Sequence, residues 1–304
     1  MQLHMKKQDI FGLSTALITP FNAEGSVDLA RLLRHAHHVL AKGSDSITLF
    51  GTTGEGFSIG IDERARMLGG MIGSGVTGEQ LYAGVSATTL VDAVAQARLA
   101  LDFGARGLLL APPYYFKGPD EDGLFAWFSR VIEGIGGDAR GIILYHIPGQ
   151  TAVPLSVDLV GRLKRAFPGV VAGIKDSSGD KATTETFLAA HGELAILVGE
   201  ERYLAEAMRK GAQGSICGLA NLAPWLLRDV IHDRNDNPLI VPVVNLITSY
   251  PVLPAVKALV AHMHGDDAYA RMRAPLVDLS APERSTLTRS YEALLAPDQD
   301  RRRA

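Results

Sequence analysis

The stretch Val170-Val-Ala-Gly-Ile-Lys-Asp-Ser-Ser-Gly-Asp180 runs five small or apolar residues straight into Lys175, then turns on small polar residues. An unbroken apolar run of this length, bounded by turn signals, reads as a strand buried on both faces, the habit of parallel sheets. A lysine at its end is out of place, because an ammonium removed from water is costly unless it is paired or neutralised. The neutral amine that such a site favours is a nucleophile able to condense with a ketone. Alone, the stretch also fits a strand that ends at solvent with its lysine in water, so the rest of the chain must decide.

Working outward, the same strand-then-helix alternation recurs in both directions. Strand candidates are Phe11–Pro20, Ser46–Phe50, Leu81–Val85, Gly107–Ala111, Gly141–Tyr145, the Lys175 run, Leu194–Val198 and Ser215–Gly218. Helices are read between them, opening at Asp28, Asp62, Thr88 or Thr89, Asp120, Ser156, Thr183 and Tyr203. The third keeps an apolar stripe at helical spacing through Leu90, Val94, Ala97 and Leu101. Three junctions repeat a glycine cap with a strand about three residues later: Gly43-Ser-Asp-Ser-Ile, Gly104-Ala-Arg-Gly-Leu and Gly211-Ala-Gln-Gly-Ser-Ile. Eight strands alternating with helices predict an α/β fold, a (β/α)8 TIM barrel. An open doubly wound sheet is disfavoured, since no Gly-x-Gly-x-x-Gly turn follows a first strand. Beyond the barrel the reading is helical only, over Leu239–Ser249, Pro254–His264, Tyr269–Leu279 and Glu283–Leu295, before a charged end from Pro297 that is expected to fray. The expected organisation is a barrel over 1–234 carrying the active site and a C-terminal helical extension over 235–304.

The 304 residues, 47% hydrophobic and 21% charged with a net charge of −3, describe an ordinary globular chain with no basic field for nucleic acid or membrane. A single cysteine, Cys217, excludes an intrachain disulfide framework and suits a reducing compartment. Met1–Asp9 carries two lysines but no apolar segment behind them, so no signal peptide is read, and no run approaches a membrane span. A cytoplasmic location is expected.

In a barrel the reacting groups stand at the C-terminal ends of the strands. That rule selects Thr52 and Thr53, Tyr114 and Tyr115, Tyr145, and Lys175. Tyr145 and Lys175 end neighbouring strands at equivalent positions, within reach of a hydrogen bond. An amine beside a phenol suits imine chemistry, the phenol shuttling protons as the carbinolamine collapses. Gly51 and Gly54 around the threonines let backbone N–H groups face a carboxylate. Other signals are weaker. His35-Ala-His-His38 lacks an acidic partner pattern for metal, Gly73–Gly78 lacks the Lys-Ser/Thr of a phosphate loop, and Cys217 at a strand end reads as core.

Gly51-Thr-Thr-Gly-Glu55, Pro113-Tyr-Tyr115, Tyr145-His-Ile-Pro148 and Gly173-Ile-Lys-Asp176 together resemble, in order and separation, the motif set of the dihydrodipicolinate synthase / N-acetylneuraminate lyase family. The likeness covers nearly the whole chain. It implies a class I lyase or aldolase on this barrel, usually a homotetramer, with no metal or organic cofactor. It also implies roles: Lys175 forms the imine with pyruvate, Tyr145 relays protons, Thr52 hydrogen-bonds Tyr145, and Tyr115 completes the relay, often from a neighbouring subunit. Thr53, with Gly51 and the turn N–H groups, would hold the carboxylate, and the Ile216 carbonyl would face bound pyruvate.

One departure bears on substrate. Synthases that condense pyruvate with aspartate semialdehyde usually place an arginine two positions after Tyr-x-x-Pro, where this chain has Gln150. An amide lacks the charged fork that holds a carboxylate. The favoured expectation is therefore an enzyme that cleaves or forms a C–C bond between pyruvate and an aldehyde, or dehydrates a hydroxylated 2-oxo acid. Gln150 and His146 would face its distal part, or His146 would make only a structural hydrogen bond. The alternatives are 4-hydroxy-tetrahydrodipicolinate synthase and, in another class, a barrel that binds a 2-oxo acid as a sensor without turnover.

Overall fold

The computed structural model describes residues 10–303, and side chains to residue 296. Its elements are β1 (Gly12–Ala16), α1 (Leu29–Ala41), β2 (Ser46–Leu49), α2 (Ile61–Gly73), β3 (Leu81–Val85), α3 (Leu90–Asp102), β4 (Gly107–Leu110) and α4 (Glu121–Ile135). There follow β5 (Ile142–His146), α5 (Pro148–Thr151), α6 (Val157–Ala166), β6 (Val171–Asp176), α7 (Lys181–His191), β7 (Ala195–Val198), α8 (Leu204–Arg209) and β8 (Gly214–Cys217). The chain ends in α9 (Pro224–His232), α10 (Ile240–Thr248), α11 (Val252–His264) and α12 (Ala281–Arg303). Each strand pairs parallel with the next and β8 pairs with β1, closing an eight-stranded barrel wrapped by helices.

Local chemistry sets where these elements start and stop. Asp28, Thr89, Ser156 and Asp180 each accept from a backbone N–H of the first turn of α1, α3, α6 and α7. Gly43, Gly104 and Gly211, the repeated junctions, take φ of 118°, 83° and 107°, which side-chain-bearing residues rarely adopt. The strands are almost wholly buried, and their side chains divide by parity. One set, including Tyr82, Leu109, Ile143, Leu197 and Ile216, fills the barrel. The other packs beneath the helices, and around β1, β7 and β8 this layer continues without a break into α9 to α12.

Three helical expectations are corrected. Pro224–His232 is a helix that the sequence reading passed over; Pro224 stands at its start, where a missing N–H costs nothing. Tyr269–Leu279 is not a helix. Only a 3-10 turn, Asp267–Ala270, forms, and the irregular chain after it turns at Ala274-Pro275 and spends the Arg273 N–H on the Glu55 carboxylate, 3.0 Å away. The last helix does not stop at Leu295 but continues to Arg303. The expectation for Met1–Asp9 lies outside the described residues. Among the described residues no single helix is long and apolar enough to cross a membrane.

Candidate active site

Tyr145 and Lys175 are register partners on β5 and β6. Strand parity turns both into the barrel mouth, where they are 3% and 5% exposed, which removes the reading of Lys175 as a solvated strand end. Lys175 Nζ donates to the Tyr145 hydroxyl at 3.2 Å and lies 4.4 Å from the centre of its ring. The same hydroxyl lies 3.2 Å from Thr52 Oγ1, so amine, phenol and threonine form one chain of hydrogen bonds. Among the described residues no carboxylate comes within ion-pair distance of the Lys175 amine.

These groups open into a cavity of about 280 Å³. Its polar side carries Thr52, Thr53, Tyr145, Gln150, Lys175, Ser177, Glu200 and Glu201, and Ile216 and Cys217 form its floor. From α10 and α11 come a mainly apolar wall, through Val244, Ile247, Val252, Leu253 and Val256, and one hydroxyl, of Thr248. Among the lining residues Lys175 is the only cation. Glu200 is tied up by Arg202, whose Nε and Nη2 donate to its two oxygens at 2.7 and 2.9 Å. Glu201 accepts from the Leu219 N–H at 3.1 Å, and burial pushes its carboxyl up, towards the neutral form.

The turn after β2 is built by close backbone packing. A Cβ on Gly54 would stand 2.5 Å from the Leu17 carbonyl oxygen, and one on Gly56 1.9 Å from that of Phe50. Gly51 accepts from the Gly54 and Gly56 N–H groups, both at 3.1 Å, and so shapes the turn without lining the cavity.

Besides Gly51, three of the sequence candidates lie outside the cavity: His146, Tyr115 and Tyr114, whose ring packs against Phe57. His146 follows Tyr145 on β5 and therefore faces the helices. Its Nδ1 accepts from the Leu155 N–H at 3.0 Å, its ring packs edge-on against Phe187, and it lines no part of the cavity. Burial lowers its pKa, opposed by Asp176 at 4.0 Å. Tyr115 lies outside the cavity, 73% exposed beside Phe116. His35 is buried, with Nε2 on Asn221 Oδ1 and Nδ1 on His264 Nε2, both at 3.1 Å. The sequence reading missed Ser177, Glu200 and Glu201. All three follow the ends of β6 and β7, so the strand-end rule that selected Lys175 would have found them.

A parallel barrel holding an unpaired lysine against a phenol at its C-terminal mouth defines a lyase or aldolase that works through a lysine Schiff base. The chain belongs to the dihydrodipicolinate synthetase family, whose model matches residues 9–294. An uncharacterized DapA-like lyase of Chloroflexus aurantiacus is 33% identical, covering 94% of this chain and 97% of that one. The 4-hydroxy-tetrahydrodipicolinate synthase of Synechococcus sp. is 31% identical, with coverages of 93% and 94%. A solved dihydrodipicolinate synthase from Agrobacterium tumefaciens aligns with a TM-score of 0.91 at 49% identity, over 93% of this chain and 99% of that one. The fold is also that of the Sulfolobus solfataricus 2-keto-3-deoxygluconate aldolase, with a TM-score of 0.85 at 22% identity and coverages of 96% and 98%.

Proposed function

We propose that this enzyme acts on a 2-oxo acid with an uncharged, hydroxylated tail, cleaving it to pyruvate and an aldehyde, joining the two, or eliminating water from it. The observation that carries this reading is the composition of the cavity: the one cation on its wall is Lys175, which the imine consumes. A second carboxylate or a phosphate would find no positive partner there, and desolvating it would cost several kcal/mol. Gln150 and Ser177 offer neutral donors and acceptors, and α10 and α11 offer an apolar wall.

The chemistry follows from the groups present. The Lys175 amine adds to the C2 carbonyl, and Tyr145 passes a proton to the oxygen that leaves as water. In the retro-aldol direction the C4 hydroxyl proton is removed, the C3–C4 bond breaks, and its electron pair moves into the protonated imine to give an enamine. Protonation at C3 and hydrolysis then release pyruvate and restore the amine. Thr52 holds the phenol, while Thr53 and the turn N–H groups take the C1 carboxylate, with Gly51 shaping that turn. The Ile216 carbonyl faces the bound pyruvate. No metal or organic cofactor enters this scheme.

Tyr115 enters it from a neighbouring copy. The exposed Tyr115–Phe116 pair, ring centres 5.3 Å apart, supports a homotetramer in which it is covered. A cytoplasmic location belongs to the same proposal. So does the division at about residue 234, with the extension serving as the far wall of the site.

The test is pyruvate with borohydride. A stable adduct should form on Lys175 and be absent from Lys175→Ala; its absence from the wild type would remove the reading. A second reading, 4-hydroxy-tetrahydrodipicolinate synthase, is favoured by the relatives that carry that name. Turnover of aspartate semialdehyde exceeding that of hydroxylated 2-oxo acids would establish it. Tight binding of 2-oxo acids with neither adduct nor turnover would instead indicate a sensor.

A further inference from the structure

Lys257, on α11, is fully buried more than 200 positions in sequence from the turn that carries Thr52. Its Nζ donates to Glu55 Oε1 at 2.7 Å and to the Thr19 carbonyl at 2.9 Å, and it stands 4.4 Å from the centre of the Phe21 ring. Both side chains of the pair are 0% exposed. The second Glu55 oxygen accepts from the Arg273 N–H at 3.0 Å. An ion pair so deeply buried is poor value as a source of stability, because apolar residues of the same volume do as well or better. Its retention calls for another account.

The geometry around Glu55 supplies one. Glu55 holds a left-handed φ of 53°, and its N–H donates to the Thr52 carbonyl at 3.0 Å. The preceding carbonyl, of Gly54, accepts from Thr19 Oγ1 at 2.6 Å. Lys257 thus grips both Glu55 and the Thr19 segment that braces the turn. From Thr52 the chain of contacts runs through its hydroxyl to Tyr145 and so to Lys175, each step 3.2 Å. The neighbour of Lys257 in sequence, Val256, lines the cavity.

We infer that Lys257 and Glu55 are positioning residues for the proton relay: the buried pair clamps α11 to the β2 turn and so fixes the Thr52 hydroxyl against Tyr145. Neither group touches the reacting atoms. The inference rests on the imine chemistry proposed above. Its reach is kinetic, since a misplacement of about 1 Å in a catalytic group costs up to about a hundredfold in rate.

The assay is exchange of the pyruvate methyl protons in D2O, followed by NMR, because enamine formation needs no second substrate. Lys257→Met removes the charge at nearly the same volume, and Glu55→Gln keeps an acceptor for Lys257. Each should slow exchange at saturating pyruvate about tenfold or more, with half-saturation little changed and borohydride trapping at Lys175 still complete at long times. In a Thr52→Val background the same substitutions should add less than about twofold, because the group they position is gone. Should a single variant fail to fold, the Lys257→Met/Glu55→Gln pair leaves no unpaired buried charge. It should fold and remain slow. Exchange at the wild-type rate in a folded variant, or the same loss with and without Thr52, overturns the inference. A wild type that neither exchanges nor traps pyruvate overturns the imine reading instead.

Discussion

Replacing Tyr145 with phenylalanine isolates the one atom on which the proposed chemistry turns. The ring remains, and with it the contact to the Lys175 amine at 4.4 Å and the packing of a side chain only 3% exposed. What disappears is an oxygen 3.2 Å from both Lys175 Nζ and Thr52 Oγ1. Two ordinary hydrogen bonds are worth about 1 kcal/mol each, partly regained because the hydroxyl need no longer be desolvated. Stability should therefore fall by about 1 to 2 kcal/mol, and the variant should remain folded. Catalysis should suffer far more. A positioned proton carrier contributes about 10² to 10⁴ in rate, and a thousandfold loss is about 4 kcal/mol of barrier. Exchange of pyruvate methyl protons and steady-state turnover should both drop by about 10² to 10³. Borohydride trapping should still reach completion on Lys175, only later, because the nucleophile is intact. A folded Tyr145→Phe enzyme within about threefold of the wild type would refute the relay, since the loss expected of any positioned acid–base group is larger.

Three further outcomes test other parts of the site. Gln150→Arg places a charged fork at the cavity mouth and should raise turnover of aspartate semialdehyde by about tenfold, the worth of one charge-assisted hydrogen bond; no gain in a coupled assay would show that Gln150 does not select the second substrate. Burial, reinforced by Glu201 nearby, pushes the Cys217 thiol far up; thiol reagents at pH 8 should leave it unmodified in the folded protein and label it in urea. Burial pushes His35 down to about 3, while in the unfolded chain it titrates near 6.5. Between these values the unfolded state binds the extra proton, so the His35 contribution to stability is complete above about pH 6.5 and is lost as the pH falls towards about 3. By pH 5 the loss is about 2 kcal/mol, and urea unfolding of His35→Gln should show a flatter slope over pH 5–7.

The barrel was legible because its signals are local. Apolar runs bounded by turns became strands, and the glycines at 43, 104 and 211 took the positive φ that their position between helix and strand demanded. The Lys175–Tyr145 pairing was legible for a related reason: equivalent positions on adjacent parallel strands are neighbours by construction. The same rule exposes the weakness in placing His146 at the substrate. Side chains alternate along a strand, so if Tyr145 faces the cavity its successor cannot. The C-terminal errors have a different origin. Around Arg273 the backbone and side chain satisfy partners more than 200 residues away, Glu55, Glu63 and Gly25, and no local period encodes that.

Those distant contacts also bear on what the last third of the chain does. A barrel with its strands in place already presents Lys175, Tyr145 and Thr52 on one rim, yet that rim alone would leave the imine open to water. The apolar wall that faces it comes from α10 and α11, and their inner surfaces join the core beneath β1, β7 and β8 without a break. One helix, α11, thus performs two tasks at adjacent positions, with Val256 facing the cavity and Lys257 gripping the turn behind Thr52. A shift of α11 that reshaped the cavity would also move the turn whose Thr52 hydroxyl we propose orients the phenol. On the proposed relay, substrate fit and proton transfer would be coupled through this one helix, so changes to the apolar wall should alter the rate of imine chemistry as well as the choice of substrate.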